Sequence, residues 1–199
     1  MTIVLSAAPT AVYLVSVAVI ERVERALGRP SSSAHEERRD TAVALVTQCG
    51  ANAAAYSFFR HGAVALLPLL GAMFLLDTIE YWAHRAMHAN GWAYRNMHAR
   101  HHSVAPEPMC ALLNSALESI TTGSLVVGSF WSIGLTWETL IAVSCLAAAK
   151  TVWDHSHFSV QHAAHHRNSR VNFEQPFFHI WDSMLGTQLD EETARARGT

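Results

Sequence analysis

DTIEYWAHRAMHANGWAYRNMHARHH, residues 77–102, decides how this chain is read. It holds an H-x3-H at His84 and His88 and an H-x2-H-H at His98, His101 and His102. The H-x2-H-H word returns at His162, His165 and His166, and His155 stands alone just before it. Nine of the thirteen histidines thus obey one spacing grammar. On a helix, positions i, i+3 and i+4 share a face, so each cluster is expected to aim its imidazoles at one point. Neutral imidazole is the commonest metal ligand, and nine ligands suit two ions better than one. Scattered core histidines would not repeat a five-residue word.

Working outward, Asp77, Glu80, His84 and His88 are spaced 3, 4 and 4 apart. At about 100° per residue they make one narrow helical stripe. Carboxylates beside metal-bound histidines commonly accept the second ring N–H and fix the tautomer. Asp77 and Glu80 are therefore candidates for orienting the ligands. The alternative is that one of them caps the helix or pairs with Arg85 at a membrane edge.

Half of the 199 residues are hydrophobic and 15% are charged, a low share for a soluble domain. A formal net charge of −2 gives no reason to expect nucleic acid. Five apolar stretches stand out, at 3–20, 41–59, 63–76, 109–127 and 133–149. Each is near or below the roughly 20 residues that span a bilayer. If each crosses once, thirteen of the fourteen Lys and Arg residues fall on one side, and only Arg60 falls on the other. Cytoplasmic loops are enriched in Lys and Arg. That side, which also carries every clustered histidine, is expected to be cytoplasmic. Some stretches are equally readable as inserted hairpins. Glu118, the one acid in its stretch, is expensive in lipid. It is expected to face the protein interior or the cytoplasmic cavity, or to pair with an arginine at the membrane edge.

The basic residues Arg22 and Arg25 follow the first apolar core, the reverse of a cleaved signal peptide. That order predicts an uncleaved first helix with its N-terminus outside. Cys49, Cys110 and Cys145 lie singly in apolar runs and read as small buried hydrophobes. Residues 28–36 read as a loop with a solvated His35. Asn90 and Gly91 break the chain so that the first two clusters can fold back on each other. The polar tail after Gln188 is expected to lack fixed structure. The organisation predicted is 1–62 for N-terminal membrane helices and a cytoplasmic loop, 63–187 for the catalytic domain and 188–199 for the tail. The predicted fold is all-α: an integral membrane bundle of four to five membrane helices or hairpins. A cytoplasmic histidine-rich helical cap holds a dinuclear metal site. Nothing resembling a G-x-G-x-x-G, a P-loop or a G-x-S-x-G occurs, so no flavin, nicotinamide or nucleotide site is expected.

The order H-x3-H, H-x2-H-H, lone His, H-x2-H-H resembles the fatty acid hydroxylase/sterol desaturase superfamily of integral membrane oxygenases. The flanks DTIEYWAHRAMH, WAYRNMHARHHS, DHSHF and HAAHH resemble its boxes, and Asn172 with WDSMLGT resembles its closing motif. The resemblance covers roughly residues 70–187. It implies two metals, taken to be iron, held by His84, His88, His98, His101, His102, His155, His162, His165 and His166. It also implies O2 and outside electrons used on a C–H bond of a lipid. One departure is the gap of six residues between His155 and His162, shorter than in relatives. The compression makes His157 a candidate additional ligand: in a helix it points away from His155, but in an extended segment the two share a face. His179 precedes Trp181 where relatives usually have an apolar residue, and it reads as a supporting or packing residue.

The residue chemistry runs beside the resemblance. Nitrogen ligands alone do not choose between iron, zinc, copper and nickel, and purified protein can carry zinc. The three separate cysteines argue against a zinc finger or an iron–sulfur site. An unactivated methylene has no acidic proton and no leaving group, so acid–base side chains cannot attack it, whereas a redox metal with O2 can. The expected function is O2-dependent hydroxylation or desaturation of a fatty acyl, sterol, carotenoid or ether lipid. A separate ferredoxin, cytochrome or reductase supplies electrons. The location expected is the membrane, in a bacterium the inner membrane. The alternatives are a histidine-rich metal transporter, which would place its ligands near the bilayer midplane, and a zinc-dependent membrane hydrolase.

Overall fold

Five long helices form where the apolar stretches lie. A computed structural model describes residues 2–29, 35–173 and 177–196. A short α1 (Thr2–Ser6) leads into α2 (Ala8–Ala26), whose Pro9 sits in the first turn, where a missing N–H is harmless. Then come α3 (His35–Ala55) and α4 (Leu66–Ala89). Asn90 closes α4, and its side chain accepts the N–H groups of Trp92 and Ala93 to start α5 (Gly91–Ala93). That turn continues as a π-helical segment, Tyr94–His98, and a 3-10 turn, His101–Ser103. Ser115 caps α6 (Ala116–Ser132) and Thr136 caps α7 (Trp137–Asp154) through side-chain oxygens. Three short helices follow: α8 (Val160–Arg167), α9 (Ile180–Met184) and α10 (Glu191–Ala196). The chain is all-α: among the described residues the sole β pairing is an isolated bridge between Arg60 and Thr136.

The helices run between two ends. At one end the links before α4 and between α6 and α7 are knit together. Trp137 N–H donates to Arg60 O at 2.9 Å, and the Glu138 carboxylate accepts Gly62 N–H at 3.0 Å beside His61. A core of Ala55, Phe59, Ala72, Phe130, Trp137 and Leu140 fills this end. The other end holds the histidines. A second core, Tyr13, Val17, Ile20, Leu45, Ala111 and Val152, lies where α2 packs along α7.

Outward faces carry large apolar side chains: Leu67 is 80% exposed, Val46 72% and Val15 63%. Water-soluble surfaces rarely gather such residues into one patch; here they face outward on three long helices. By length and composition α4 is long and apolar enough to cross a membrane. Its 24 residues rise about 36 Å, against roughly 30 Å of hydrocarbon.

Three local readings change. The stretch 109–127 is not one helix: Pro108–Cys110 makes a 3-10 turn, and α6 begins only at Ala116, because Pro106 and Pro108 withhold backbone donors. The tail is helical through α10, started by Asp190 and packed on α8 with Ala194 fully buried. Of the 28–36 loop, residues 30–34 lie outside the described residues, and the backbone of His35 already opens α3.

Candidate metal centre

The first box lies on the last two turns of α4, so His84 and His88 project from one face beyond its apolar run. The second box rides the π and 3-10 turns, and the third rides α8. These segments gather nine imidazoles into two adjoining groups. One is His84, His88, His98, His102 and His165; the other is His101, His155, His162 and His166. Within each group the ligand atoms lie within 4.8 Å of one another.

Neither H-x2-H-H aims at a single point. His98 and His102 enter the first group while His101 enters the second; His162 and His166 enter the second while His165 crosses to the first. At about 100° per residue, i+3 and i+4 fall on opposite flanks of i. The i, i+4 pair therefore turns to one centre and the i+3 ring to its neighbour. The two words interlock, each lending one ring to the other's group.

The backbone orients the rings. Nδ1–H donates to Phe173 O from His84 (2.8 Å), to Val171 O from His165 (2.7 Å) and to Thr151 O from His155 (2.8 Å). His98 donates instead to Glu118 Oε1 at 2.7 Å. These partners place the proton on Nδ1 and turn the Nε2 lone pair inward. Nε2 atoms then meet at 2.8–3.3 Å, as between His88 and His165, His98 and His102, or His155 and His162. Two nitrogen ligands at right angles on an ion, with bonds of about 2.1 Å, would stand about 3.0 Å apart. His84 Nε2 is buried and has no partner in the protein. Converging lone pairs and an orphaned ring nitrogen are what a dinuclear metal site requires, so the residues present fit two ions.

Burial keeps these rings neutral, the form that binds metal. Desolvation holds His101, His162 and His165 well below the usual imidazole range and pushes His102 and His155 down to about 4. Neighbouring imidazoles add to the effect.

The residues expected to support the ligands are distributed differently. Asp77 is fully buried, but its carboxylate accepts Phe177 N–H (3.0 Å) and Phe178 N–H (2.6 Å); it anchors a loop and is not paired with Arg85. Glu80 lines a cavity of about 80 Å³ beside His84, His98 and Glu118. Glu118 itself faces the interior, and its burial in an otherwise apolar run was the one sequence signal of its contact with His98. The carbonyls of Phe173, Val171 and Thr151 left no signal, because any residue supplies a carbonyl. The closing motif forms a latch. Asp182 Oδ1 accepts Phe173 N–H (3.0 Å) and the Thr187 hydroxyl (2.7 Å). Asn172, at a positive φ of 53°, bonds Gln161 O and Leu189 N–H. The side chain of His157 is exposed and lies outside both groups. His179 has a positive φ at the start of α9, also outside them.

The fatty acid hydroxylase family model matches residues 69–187. The chain is 34% identical over 148 residues to a very-long-chain aldehyde decarbonylase of Oryza sativa, covering 64% of this chain and 57% of that one. It is 36% identical over 138 residues to sphinganine C4-monooxygenase 2 of Arabidopsis thaliana (59% and 52%). It is 32% identical over 156 residues to the sphingolipid C4-hydroxylase of Saccharomyces cerevisiae (69% and 44%). The chain spans about half the length of these curated relatives. No solved structure matches it significantly.

Proposed function

Because the chain belongs to the fatty acid hydroxylase family, we propose that it is an O2-dependent hydroxylase or desaturase of a lipid C–H bond, built on a di-iron centre. The observation that carries this reading is the convergence of nine buried or half-buried imidazoles into two adjoining groups. Relatives named as a sphinganine C4-monooxygenase and a sphingolipid C4-hydroxylase support hydroxylation of a long-chain lipid over sterol or carotenoid chemistry.

Iron at these two groups would supply O2 reduction and the power to attack an unactivated C–H bond. The nine clustered histidines would hold it, with His157 outside. Inserting one oxygen atom of O2 into C–H and releasing the other as water takes two electrons and two protons. A separate ferredoxin, cytochrome or reductase would deliver them. The chain's own residues hold and shield. Carbonyls and Glu118 keep the Nδ1 protons in place and the Nε2 lone pairs inward. Met87, Leu112 and Phe173 line the small cavity against the histidines, where they would seat an alkyl segment and keep water out. The catalytic unit spans 63–187 in this proposal, with 1–62 supplying membrane helices and 188–199 the tail.

The chain is proposed to sit in the membrane through four to five helices or hairpins, with the histidine end cytoplasmic; in a bacterium this is the inner membrane. Gathering of the ligands at one end of the bundle favours an enzyme over a transporter, whose sites lie on broken helices at the midplane.

Lipid profiling by mass spectrometry of cells carrying the wild-type gene, His101→Ala or no gene tests the function. A lipid with one added oxygen or one added double bond should appear with the wild type alone. Identical profiles in all three strains, with the protein expressed and metal-loaded, would refute it.

A further inference from the structure

We propose that Glu24, on the N-terminal helix and outside the family-matched region, is a positioning residue for the four-histidine group. The proposal rests on the reading of the two histidine groups as a dinuclear metal centre. The buried face of α2 runs Pro9, Tyr13, Val17, Ile20, Glu24, at steps of 4, 4, 3 and 4. Such a stripe belongs to a packed helix, and it lies along α7. Its last member is an acid with only 1% of its surface exposed. An acid this deep costs stability unless its oxygens are hydrogen-bonded. Oε1 of Glu24 accepts the backbone N–H of His157 at 2.7 Å.

That N–H lies in the turn joining α7 to α8, and the turn carries His155. α7 ends at Asp154, and α8 begins at Val160. In those few residues the chain must reverse so that His155 and His162 face the same group, with Nε2 atoms 2.8 Å apart. Were the His157 N–H to bond back along the helix, α7 would continue, and His155 and His162 would lie about 10 Å apart along its axis instead of meeting. Glu24 takes that donor from the side. Ser156 and Phe158 complete the turn: Phe158 N–H donates to Ser156 Oγ, and the Phe158 ring packs on the α2 core. The same helix braces the far side of the site, where the Tyr13 hydroxyl donates to the carbonyls of Pro108 and Met109 beyond the second box. His157 matters through its backbone, not its ring.

The experiment uses the full-length protein, purified in detergent without metal and titrated with Fe(II) under anaerobic conditions. Iron per chain is counted by mass spectrometry, and the two ions are resolved by Mössbauer spectroscopy. Wild type should bind two. In Glu24→Ala the ion of the four-histidine group should be held about 10–100-fold more weakly, as for other lost supporting contacts, while the five-histidine group keeps its ion. Glu24→Gln, whose amide oxygen can accept the same N–H, should restore two-ion binding; this rescue separates positioning from a general loss of folding. Equal affinity for both ions in Glu24→Ala and wild type would overturn the role of Glu24. So would equal weakening of both groups in Glu24→Ala and Glu24→Gln. A wild type that binds fewer than two ions would instead overturn the dinuclear reading itself.

Discussion

Nδ1 of His98 lies 2.7 Å from Oε1 of Glu118, joining a ring of the second histidine box to the only acid of α6. Both side chains are about 95% buried, each with a relative exposure of 5%. Here α6 is tied to the histidine cluster by a carboxylate rather than a backbone carbonyl. Replacing Glu118 by Ala should leave the Nδ1 proton without an acceptor and lower metal affinity of the five-histidine group by about 10–100-fold. Metal titration of detergent-purified protein reads this directly. Unchanged affinity would show that the contact does not tune the ligand.

The third box offers a sharper pair. His155→Ala should lose the ion of the four-histidine group and with it activity. His157→Ala should keep both, since its ring is exposed and the backbone N–H that meets Glu24 survives substitution. Metal content and lipid turnover of the two variants decide. Loss in His157→Ala with normal behaviour in His155→Ala would reverse the assignment.

The metal-free protein should be acid-sensitive in a defined window. His102 and His155 are held down to about 4 by burial, against about 6.5 in an unfolded chain. Between those values the unfolded chain binds the extra protons, so stability falls as pH falls through the window and is complete above it. Chelator-treated protein should therefore melt at a lower temperature at about pH 5 than at about pH 7.5, and metal, which competes with protons for the same ring nitrogens, should raise the melting temperature more at the higher pH. An equal melting temperature at both would contradict the neutral, buried rings.

Arg95 lies at the histidine end and Ser129 near the opposite links, where Ser129 O accepts Ile133 N–H at the end of α6. Arg95→Cys and Ser129→Cys should be labelled by a membrane-impermeant maleimide from opposite faces, with Arg95→Cys reached from the cytoplasm. The measurement is made in a background lacking Cys49, Cys110 and Cys145. Labelling of both from one face would sink the topology.

The sequence by itself determined the residue types and the local periods: apolar runs long enough for helices, a break at Asn90, and histidines at helical spacing. These are short-range properties, set by one to two turns of chain, so the all-α class and the nine clustered rings were legible. Glu118 was legible only in part, as an acid too costly to leave in lipid. Tertiary structure alone decided how the rings divide, since the sharing of His101 and His165 between groups depends on how two separate segments face each other. It also decided that Asp77 anchors the 177–178 loop, and that carbonyls of Phe173, Val171 and Thr151 orient rings, because a carbonyl carries no side-chain signature. The bond from Glu24 to His157 spans 133 positions. No periodicity reaches that far; only the packing of α2 against α7 brings the two together.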